Sequence, residues 1–235
     1  MILIACGMQS ESAILNSPSN AVVVQGRNRD ANLKADLQAA VDKGGIIGVM
    51  SFGLSGGLAD DLDAGDILVA TGCVKDGLFT AARKRWTDGI MAALSAPSFG
   101  LRAKTGWFCY SNAVVATSAE KYVFQRGTRA DAVDMETCIA AEVADANDLP
   151  FTAIRAISDP FDFTLPSAAL AAMAPDGSID VGAVIASIAS DDRQVAALLT
   201  LQTYSAKAFN SLATALLAVG PKFCFPGEDE DEDGA

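Results

Sequence analysis

The sequence contains no histidine, and this absence excludes more chemistry than any other feature of its composition. Ser-His-Asp and Cys-His mechanisms need an imidazole base, and many metal sites need imidazole ligands. General acid and base catalysis would therefore depend on carboxylates, lysine, cysteine or tyrosine. The five cysteines form no CxxC pair. We therefore predict neither a disulfide framework nor a metal site.

Basic residues are also scarce, with 17 Lys and Arg against 29 Asp and Glu. The net charge of −12 argues against a nucleic-acid partner, because phosphate binding requires clustered basic side chains. Six of the acids form the run 228–233, which leaves −6 for residues 1–227. We expect residues 1–222 to form a single domain and residues 223–235 to form a disordered acidic tail.

Long apolar runs are missing as well. No run approaches the roughly 18 residues of a membrane-spanning helix, so no membrane span is predicted. The N-terminal segment MILIACGMQSESAIL lacks a basic start and has only a short apolar stretch, which is not the pattern of a signal peptide. We therefore expect a cytoplasmic protein.

Short apolar segments alternate along the chain with segments of helical periodicity. Strands are predicted at 1–5, 21–25, 45–52, 66–71, 113–117 and 151–157, and helices at 32–41, 80–94, 136–146 and 183–219. This alternation predicts an α/β fold with a largely parallel or mixed sheet and helices on both faces.

A glycine-rich segment, SFGLSGGLADDLDAGDILVAT (residues 51–71), follows one of the buried strands. Gly53, Gly56 and Gly57 would let a ligand approach the backbone, and free N–H groups there would bind an anion. A tight turn with close packing explains the same residues equally well. The segment matches neither the P-loop nor the GxGxxG dinucleotide fingerprint.

Acidic side chains lie at the ends of three predicted elements. Glu11 follows the first strand in GMQSESAIL, Asp134 and Glu136 precede a helix in AVDMETCIAAEVA, and Asp159 follows Ser158 in IRAISDPFDF. Ligands of open α/β sheets bind at the carboxyl ends of strands, so these residues are candidates for a site. Helix capping by Glu11 or Glu136 and a turn at Asp159 are open alternatives.

Taken in order, the motifs GMQSE, SFGLSGGL followed by GDILVAT, VDMET and RAISD resemble those of the nucleoside phosphorylase and nucleosidase superfamily. The resemblance implies a three-layer α/β/α sandwich with a central mixed, mostly parallel twisted sheet. VVATSAEK (114–121), ISDP (157–160) followed by LPSAAL (165–170), and DGSIDVGAVIASI (176–188) resemble the hopanoid-associated branch. That branch is implied to remove adenine from adenosylhopane during hopanoid side-chain synthesis.

The resemblance also implies roles for individual residues. By motif match, Asp159 protonates N7 of adenine, Glu11 activates water and Glu136 holds the ribose hydroxyls. Asp159 must then keep its proton near neutral pH, so burial should raise its pKa. The further positions expected to bind substrate are Met135, Arg155, Ser158, Ser51, Gly53 and Ser55.

The nucleophile depends on two loops. Phosphorylases of this superfamily bring an arginine to the first glycine loop and a serine to the second, whereas this chain has Glu11 in the first and Leu54 in the second, beside Ser55. A carboxylate next to a phosphate dianion is unfavourable, so we expect hydrolysis. Phosphorolysis would need Arg27, Arg29 or an arginine of a neighbouring subunit. No cofactor is expected, and inorganic phosphate is a co-substrate only under that alternative.

The implied partner is a small lipid-linked adenine nucleoside, which predicts transient membrane contact. The lipid side of the pocket would be lined by Phe161, Phe163, Leu165 and Met173, although ordinary packing explains these residues as well. Candidates for stacking on adenine are Phe108, Tyr110 and Tyr122. The superfamily resemblance also implies a homodimer.

Two other functions remain open. One is a methylthioadenosine or S-adenosylhomocysteine nucleosidase, and the other is a catalytically silent nucleoside-binding protein.

Overall fold

The computed structural model describes residues 1–16, 19–26, 30–171 and 181–227, which form eight strands and eight α-helices. The strands are β1 (Ile2–Cys6), β2 (Ala21–Gln25), β3 (Gly48–Gly57), β4 (Ile67–Lys75), β5 (Leu78–Ala81), β6 (Ala103–Tyr110), β7 (Ala132–Asp134) and β8 (Phe151–Asp159). The helices are α1 (Gln9–Leu15), α2 (Asp30–Asp42), α3 (Lys84–Leu94), α4 (Ser118–Thr128), α5 (Thr137–Ala146), α6 (Ser167–Ala171), α7 (Val181–Ser190) and α8 (Gln194–Val219).

The strands of the described chain form one mixed sheet. Its order is β2-β1-β3-β7-β6-β4-β5, and β8 pairs with both β3 and β4, so that β3, β8, β4, β6 and β7 close a ring. Five of the eight strand pairings are parallel and three are antiparallel. The predicted α/β fold with a mixed, mostly parallel sheet is therefore confirmed, and the closed ring is a feature that the sequence did not predict.

Helices cover the sheet on both sides. Alternate residues of a strand point to opposite faces. In β1, Leu3 packs in a core with residues of α2 and α5, while Ile2 and Ile4 pack in a second core with residues of α3 and α8. The two cores hold the strands between two helical layers.

The packed chain continues beyond the predicted boundary at residue 222. Phe223 is buried, and its carbonyl oxygen accepts a hydrogen bond of 2.7 Å from Nε1 of the fully buried Trp86. The ring of Phe225 meets Trp86 edge-on, with 4.9 Å between the ring centroids. Of the predicted acidic tail, residues 223–227 are described, and the charged run 228–233 lies outside the described residues.

Three predicted elements need correction. Residues 78–81 form β5 instead of the start of a helix, because Phe79 and Thr80 pair with β4, and the helix begins only at Lys84. The pattern at 183–219 divides into α7 and α8 around a turn where the Asp191 carboxylate accepts hydrogen bonds from Arg193. Residues 113–117 form no strand, and β6 lies before them at 103–110.

No helix in the described ranges is both long enough and apolar enough to cross a membrane.

Candidate active site

A cavity of about 500 Å³ lies where β1, β3, β7 and β8 end. Since β1, β3 and β8 are parallel, their carboxyl ends meet at one edge of the sheet. The structure brings several predicted site residues together on this cavity wall. They are Glu11, Ser55, Met135, Glu136, Ser158, Asp159 and Leu165.

Glu11 is buried at the start of α1, with only 2% of its surface exposed. Its Oε2 accepts hydrogen bonds from the backbone N–H groups of Gly7 and Met8, both at 2.8 Å, and its Oε1 accepts one of 2.7 Å from Leu54. The carboxylate therefore caps α1 and also faces the cavity. Burial raises the pKa of Glu11, opposed by Arg155 and by the three N–H donors. A carboxylate with a raised pKa is suited to accept a proton from water.

Two glycines make room for the buried carboxylates. A Cβ atom at Gly53 would lie 2.5 Å from Oε1 of Glu11 and 2.6 Å from Nη1 of Arg155. A Cβ atom at Gly7 would lie 2.6 Å from Oε1 of Glu136. Gly53 was predicted to contact the substrate, but it lies behind the wall, where its missing side chain gives space to Glu11 and Arg155.

Arg155 is fully buried and ties the acidic groups together. Its Nε lies 3.0 Å from Oδ2 of Asp134, its Nη2 donates to Oε2 of Glu136 at 3.1 Å and to Oγ of Ser51 at 2.6 Å, and its Nη1 donates to the Leu54 carbonyl. Arg155 and Ser51 therefore support the carboxylates from behind. The prediction that these two residues bind the substrate directly needs this correction, because neither reaches the cavity wall.

Helix capping, the open alternative for Glu136, is provided by Asp134. Oδ1 of Asp134 accepts hydrogen bonds from the N–H groups of Glu136, at 3.2 Å, and Thr137, at 2.9 Å. The Glu136 side chain makes no capping bond and lines the cavity. Burial raises the pKa of Glu136 to about 8; Arg155 lowers it, and the negative charges of Asp134 and Glu11 add to the rise.

Asp159 ends β8 and is held by two side chains. Oδ1 accepts a hydrogen bond of 2.6 Å from the Ser158 hydroxyl, and Oδ2 lies 2.6 Å from Nζ of Lys121. Burial raises the pKa of Asp159, while Lys121 and Ser158 oppose the rise. The predicted direction of this pKa shift agrees with the structure. Lys121 was not singled out in the sequence, because its partner lies 38 residues further along the chain.

Ser55 presents an unpaired hydroxyl to the cavity. The residue is 4% exposed, and within the described chain its Oγ has no hydrogen-bond partner. Buried hydroxyl groups are rarely left unpaired. Because Ser55 also lines the cavity, its Oγ is available for a hydrogen bond with a ligand.

The described cavity wall carries four acidic residues and no lysine or arginine. The acids are Glu11, Asp134, Glu136 and Asp159. Such a wall disfavours a phosphate dianion, since it offers no cation to offset the two negative charges. Arg27 and Arg29, the predicted phosphate contacts of the phosphorolytic alternative, lie outside the described residues.

The remainder of the cavity is mostly apolar, with Ser111, Gln202 and Ser205 as polar side chains on the described wall, and we call this part the apolar arm. Its wall is formed by Leu165, Ala168, Leu170, Val184, Leu198 and Leu201. Phe161 and Phe163, predicted for this surface, do not reach it. Phe163 instead packs edge-on against Tyr204, with 5.2 Å between the ring centroids. Met173 lies outside the described residues.

None of the three predicted stacking residues reaches the wall. Phe108 is fully buried in the core, and the ring of Tyr110 lies 4.6 Å from Nζ of Lys75. Tyr122 is half exposed beside Arg126.

Comparison with known proteins decides the family. The family model of the phosphorylase superfamily matches residues 21–190. The chain belongs to the phosphorylase superfamily. The predicted class, purine nucleosidase or nucleoside phosphorylase, is thus confirmed at the level of the superfamily. No curated protein matches the sequence.

Several solved structures have a fold similar to that of this chain, and nucleosidases are among them. Futalosine hydrolase of Helicobacter pylori strain 26695 is 17% identical, with a TM-score of 0.65 over 92% of this chain and 95% of that chain. The 5′-methylthioadenosine/S-adenosylhomocysteine nucleosidase of Helicobacter pylori gives the same values. The Campylobacter jejuni nucleosidase of that name is 17% identical, with a TM-score of 0.60 over 87% and 98%. At this identity the likeness concerns the fold.

Proposed function

We propose that this protein hydrolyses the N-glycosidic bond of adenosylhopane, releasing adenine and a ribosyl hopane in hopanoid side-chain biosynthesis. The observation that carries the proposal is a single cavity with two unlike ends. Three carboxylates form one end, the buried Glu11 and Asp159 and the partly buried Glu136, and the apolar arm forms the other. A nucleoside with a large uncharged substituent at its 5′ side matches both ends.

In the proposed reaction, Asp159 gives its proton to N7 of adenine, and the electron pair of that O–H bond stays on the carboxylate. The C1′–N9 bond breaks with its pair going to the base, which leaves neutral. Glu11 takes a proton from water as the water oxygen bonds to C1′, and Glu136 holds the ribose hydroxyls. Proton exchange with solvent restores both acids. General acid catalysis of this kind contributes roughly 10²–10⁴ in rate.

Water is favoured over phosphate by the charge of the site. Asp134 and the three reacting carboxylates line the described wall without a basic residue, and Arg155 is fully engaged by Asp134, Glu136 and Ser51. A phosphate dianion would have no cation to bind there. Phosphorolysis of the same substrate stays the alternative, because Arg27 and Arg29 lie outside the described residues.

A methylthioadenosine or S-adenosylhomocysteine nucleosidase is the second candidate. A mutant of the Helicobacter pylori nucleosidase of this class has been solved with 5′-methylthioadenosine in its active site. The apolar arm argues against S-adenosylhomocysteine, since its described wall offers Gln202 and Ser205 but no charged side chain to pair with the amino-acid group of that substrate.

The assembly and location are part of the same proposal. We infer a cytoplasmic homodimer that contacts membranes transiently. Leu78 and Phe79, at the tip of the β4–β5 hairpin, are 76% and 67% exposed and support a subunit interface. A mass of twice 24.2 kDa in light scattering would agree with the dimer.

Adenine release from adenosylhopane tests the proposed function, with the variants Asp159→Asn and Glu11→Gln. Both should lose at least about 10²-fold in kcat, because each removes one proton transfer. Lys84→Gln, an exposed surface change on α3, serves as the control and should turn over normally. A chain that binds the nucleoside but releases no adenine would instead be the silent binding protein.

A further inference from the structure

Lys121 is a charged group beside the site that the sequence did not predict. It belongs to the first turn of α4 and is completely buried. A capping box between Thr117 and Glu120 fixes that turn: the Thr117 hydroxyl accepts from Glu120 N–H, and the Glu120 carboxylate accepts from Thr117 N–H. The lysine therefore enters the interior from a rigid helix start.

The Nζ atom of Lys121 contacts the end of β8 and the loop that follows. It lies 2.6 Å from Oδ2 of Asp159, and it donates to the carbonyl oxygens of Pro160 at 2.6 Å and Phe163 at 3.1 Å. A lysine used only to hold this loop would need the carbonyl contacts alone. The short contact to the carboxylate places a positive charge directly on the proposed proton donor.

We propose that Lys121 is a positioning residue that sets the proton affinity of Asp159 and stabilises the carboxylate that remains after the adenine has been protonated. The inference rests on the proposed function, because it assigns Lys121 a part in the same proton transfer. No proton leaves Lys121. Its ammonium group pairs with the charge that develops on Asp159 when the O–H bond breaks.

Of the groups around Asp159, Lys121 is the one that can produce this effect. Ser158, from the same strand, contributes only a neutral hydroxyl. Arg155, also on β8, is engaged by Asp134 and Glu136. Burial and Lys121 thus act in opposition, one favouring the protonated acid and the other its anion.

The pH profile of kcat/KM separates this role from a purely structural one. Asp159 must be protonated to act, so activity falls on the alkaline side as pH rises through its pKa. Lys121→Gln keeps a donor for the carbonyl groups but removes the charge. It should move the alkaline limb upward by about one pH unit or more and lower kcat about tenfold. Lys121→Arg should leave the limb near its original position.

A double-mutant cycle asks whether Lys121 acts through Asp159. In the Asp159→Asn background, Lys121→Gln should change kcat by less than about twofold, since no carboxylate remains to be tuned. An unmoved alkaline limb, or an equal loss of kcat in both backgrounds, would overturn the proposal. Lys84→Gln is the control for removal of a lysine charge elsewhere.

A measurement without turnover keeps this inference separate from the proposed function. In protein labelled with ¹³C at the aspartate carboxyl groups, the Asp159 resonance is the one lost in Asp159→Asn. Its titration midpoint should rise in Lys121→Gln, and an unchanged midpoint would contradict the inference. If the wild-type chain releases no adenine, the proposed function fails while this midpoint still decides the role of Lys121.

Discussion

Burial of several carboxylates around Arg155 makes the stability of the protein depend on pH. Glu136 has a pKa of about 8 in the folded chain against an ordinary value of 4.5, so the folded state keeps a proton that the unfolded state releases. Its stabilising contribution is therefore complete below pH 4.5 and is lost as pH rises towards 8.

We predict that Glu136→Gln raises the melting temperature relative to wild type by several degrees more at pH 9 than at pH 5. Glu142→Gln is the control, because Lys34 and Lys75 lower the pKa of that carboxylate and its charge is constant between these pH values. Thermal unfolding at the two pH values measures the difference. Equal shifts of Glu136→Gln at both would show that the buried carboxyl group is not protonated.

The absence of a side chain at Gly53 is a second requirement at the residue scale. Gly53→Ala would force Glu11 and Arg155 apart, and we expect a loss of about 1–3 kcal/mol in the free energy of unfolding together with most of the activity. Gly127→Ala in α4 meets nothing within 4 Å and should stabilise the protein by about 0.5–1 kcal/mol. Chemical denaturation compares the two variants, and an active, stable Gly53→Ala protein would refute the packing argument.

Individual residues also show what the sequence could predict. Glu11, Glu136 and Asp159 stood in recognisable motifs, and the structure brings all three to one cavity. Lys121 gave no signal, because a lysine in a polar helix looks the same whether it meets water or a carboxylate from a distant strand. The supporting positions of Arg155 and Ser51 could not be predicted either, since a motif indicates neighbours but not which of them faces the ligand.

At the scale of elements, apolar runs predicted the strands of the sheet well. They also predicted a strand, wrongly, where the chain lines the cavity. Residues 113–117 are apolar because Ala113, Val114 and Val115 line the cavity, and the chain there turns at Ser111, whose hydroxyl donates to the Ala113 carbonyl. The strand β6 was missed because its first half contains Lys104 and Thr105 beside Gly106, a weak strand pattern.

The helices α7 and α8 are the surface that we expect to contact a membrane. No charged residue occurs in α7 or in α8 before Lys207, and Ile185 and Leu199 are 63% and 60% exposed beside residues of the apolar arm. We expect the protein to float with neutral phosphatidylcholine vesicles and the double variant Ile185→Ser/Leu199→Ser to remain unbound. Leu217→Ser, at a site that is 75% exposed near the far end of α8, should still float. Unchanged flotation of the double variant would show that this surface does not bind the membrane.

At the scale of the whole molecule, the fold depends on residues beyond the final helix. A chain that ends after residue 222 lacks Phe223 and the carbonyl group that Trp86 binds. We predict that it is less stable than a chain ending after residue 227 by about 3–5 kcal/mol, the usual cost of losing a buried phenylalanine. Urea unfolding compares the two chains, and equal midpoints would contradict the packing of Phe223. Val123→Ala on α4, at a site that is 67% exposed, should have little effect.

The central claim is that this cavity joins adenine-nucleoside hydrolysis to a lipid substituent. Adenine release should be measured from adenosylhopane with and without inorganic phosphate, with methylthioadenosine in parallel. We predict release from adenosylhopane that does not depend on phosphate. Release only in the presence of phosphate would contradict hydrolysis and return Glu11 to a structural role, and turnover of methylthioadenosine alone would contradict the lipid-linked substrate.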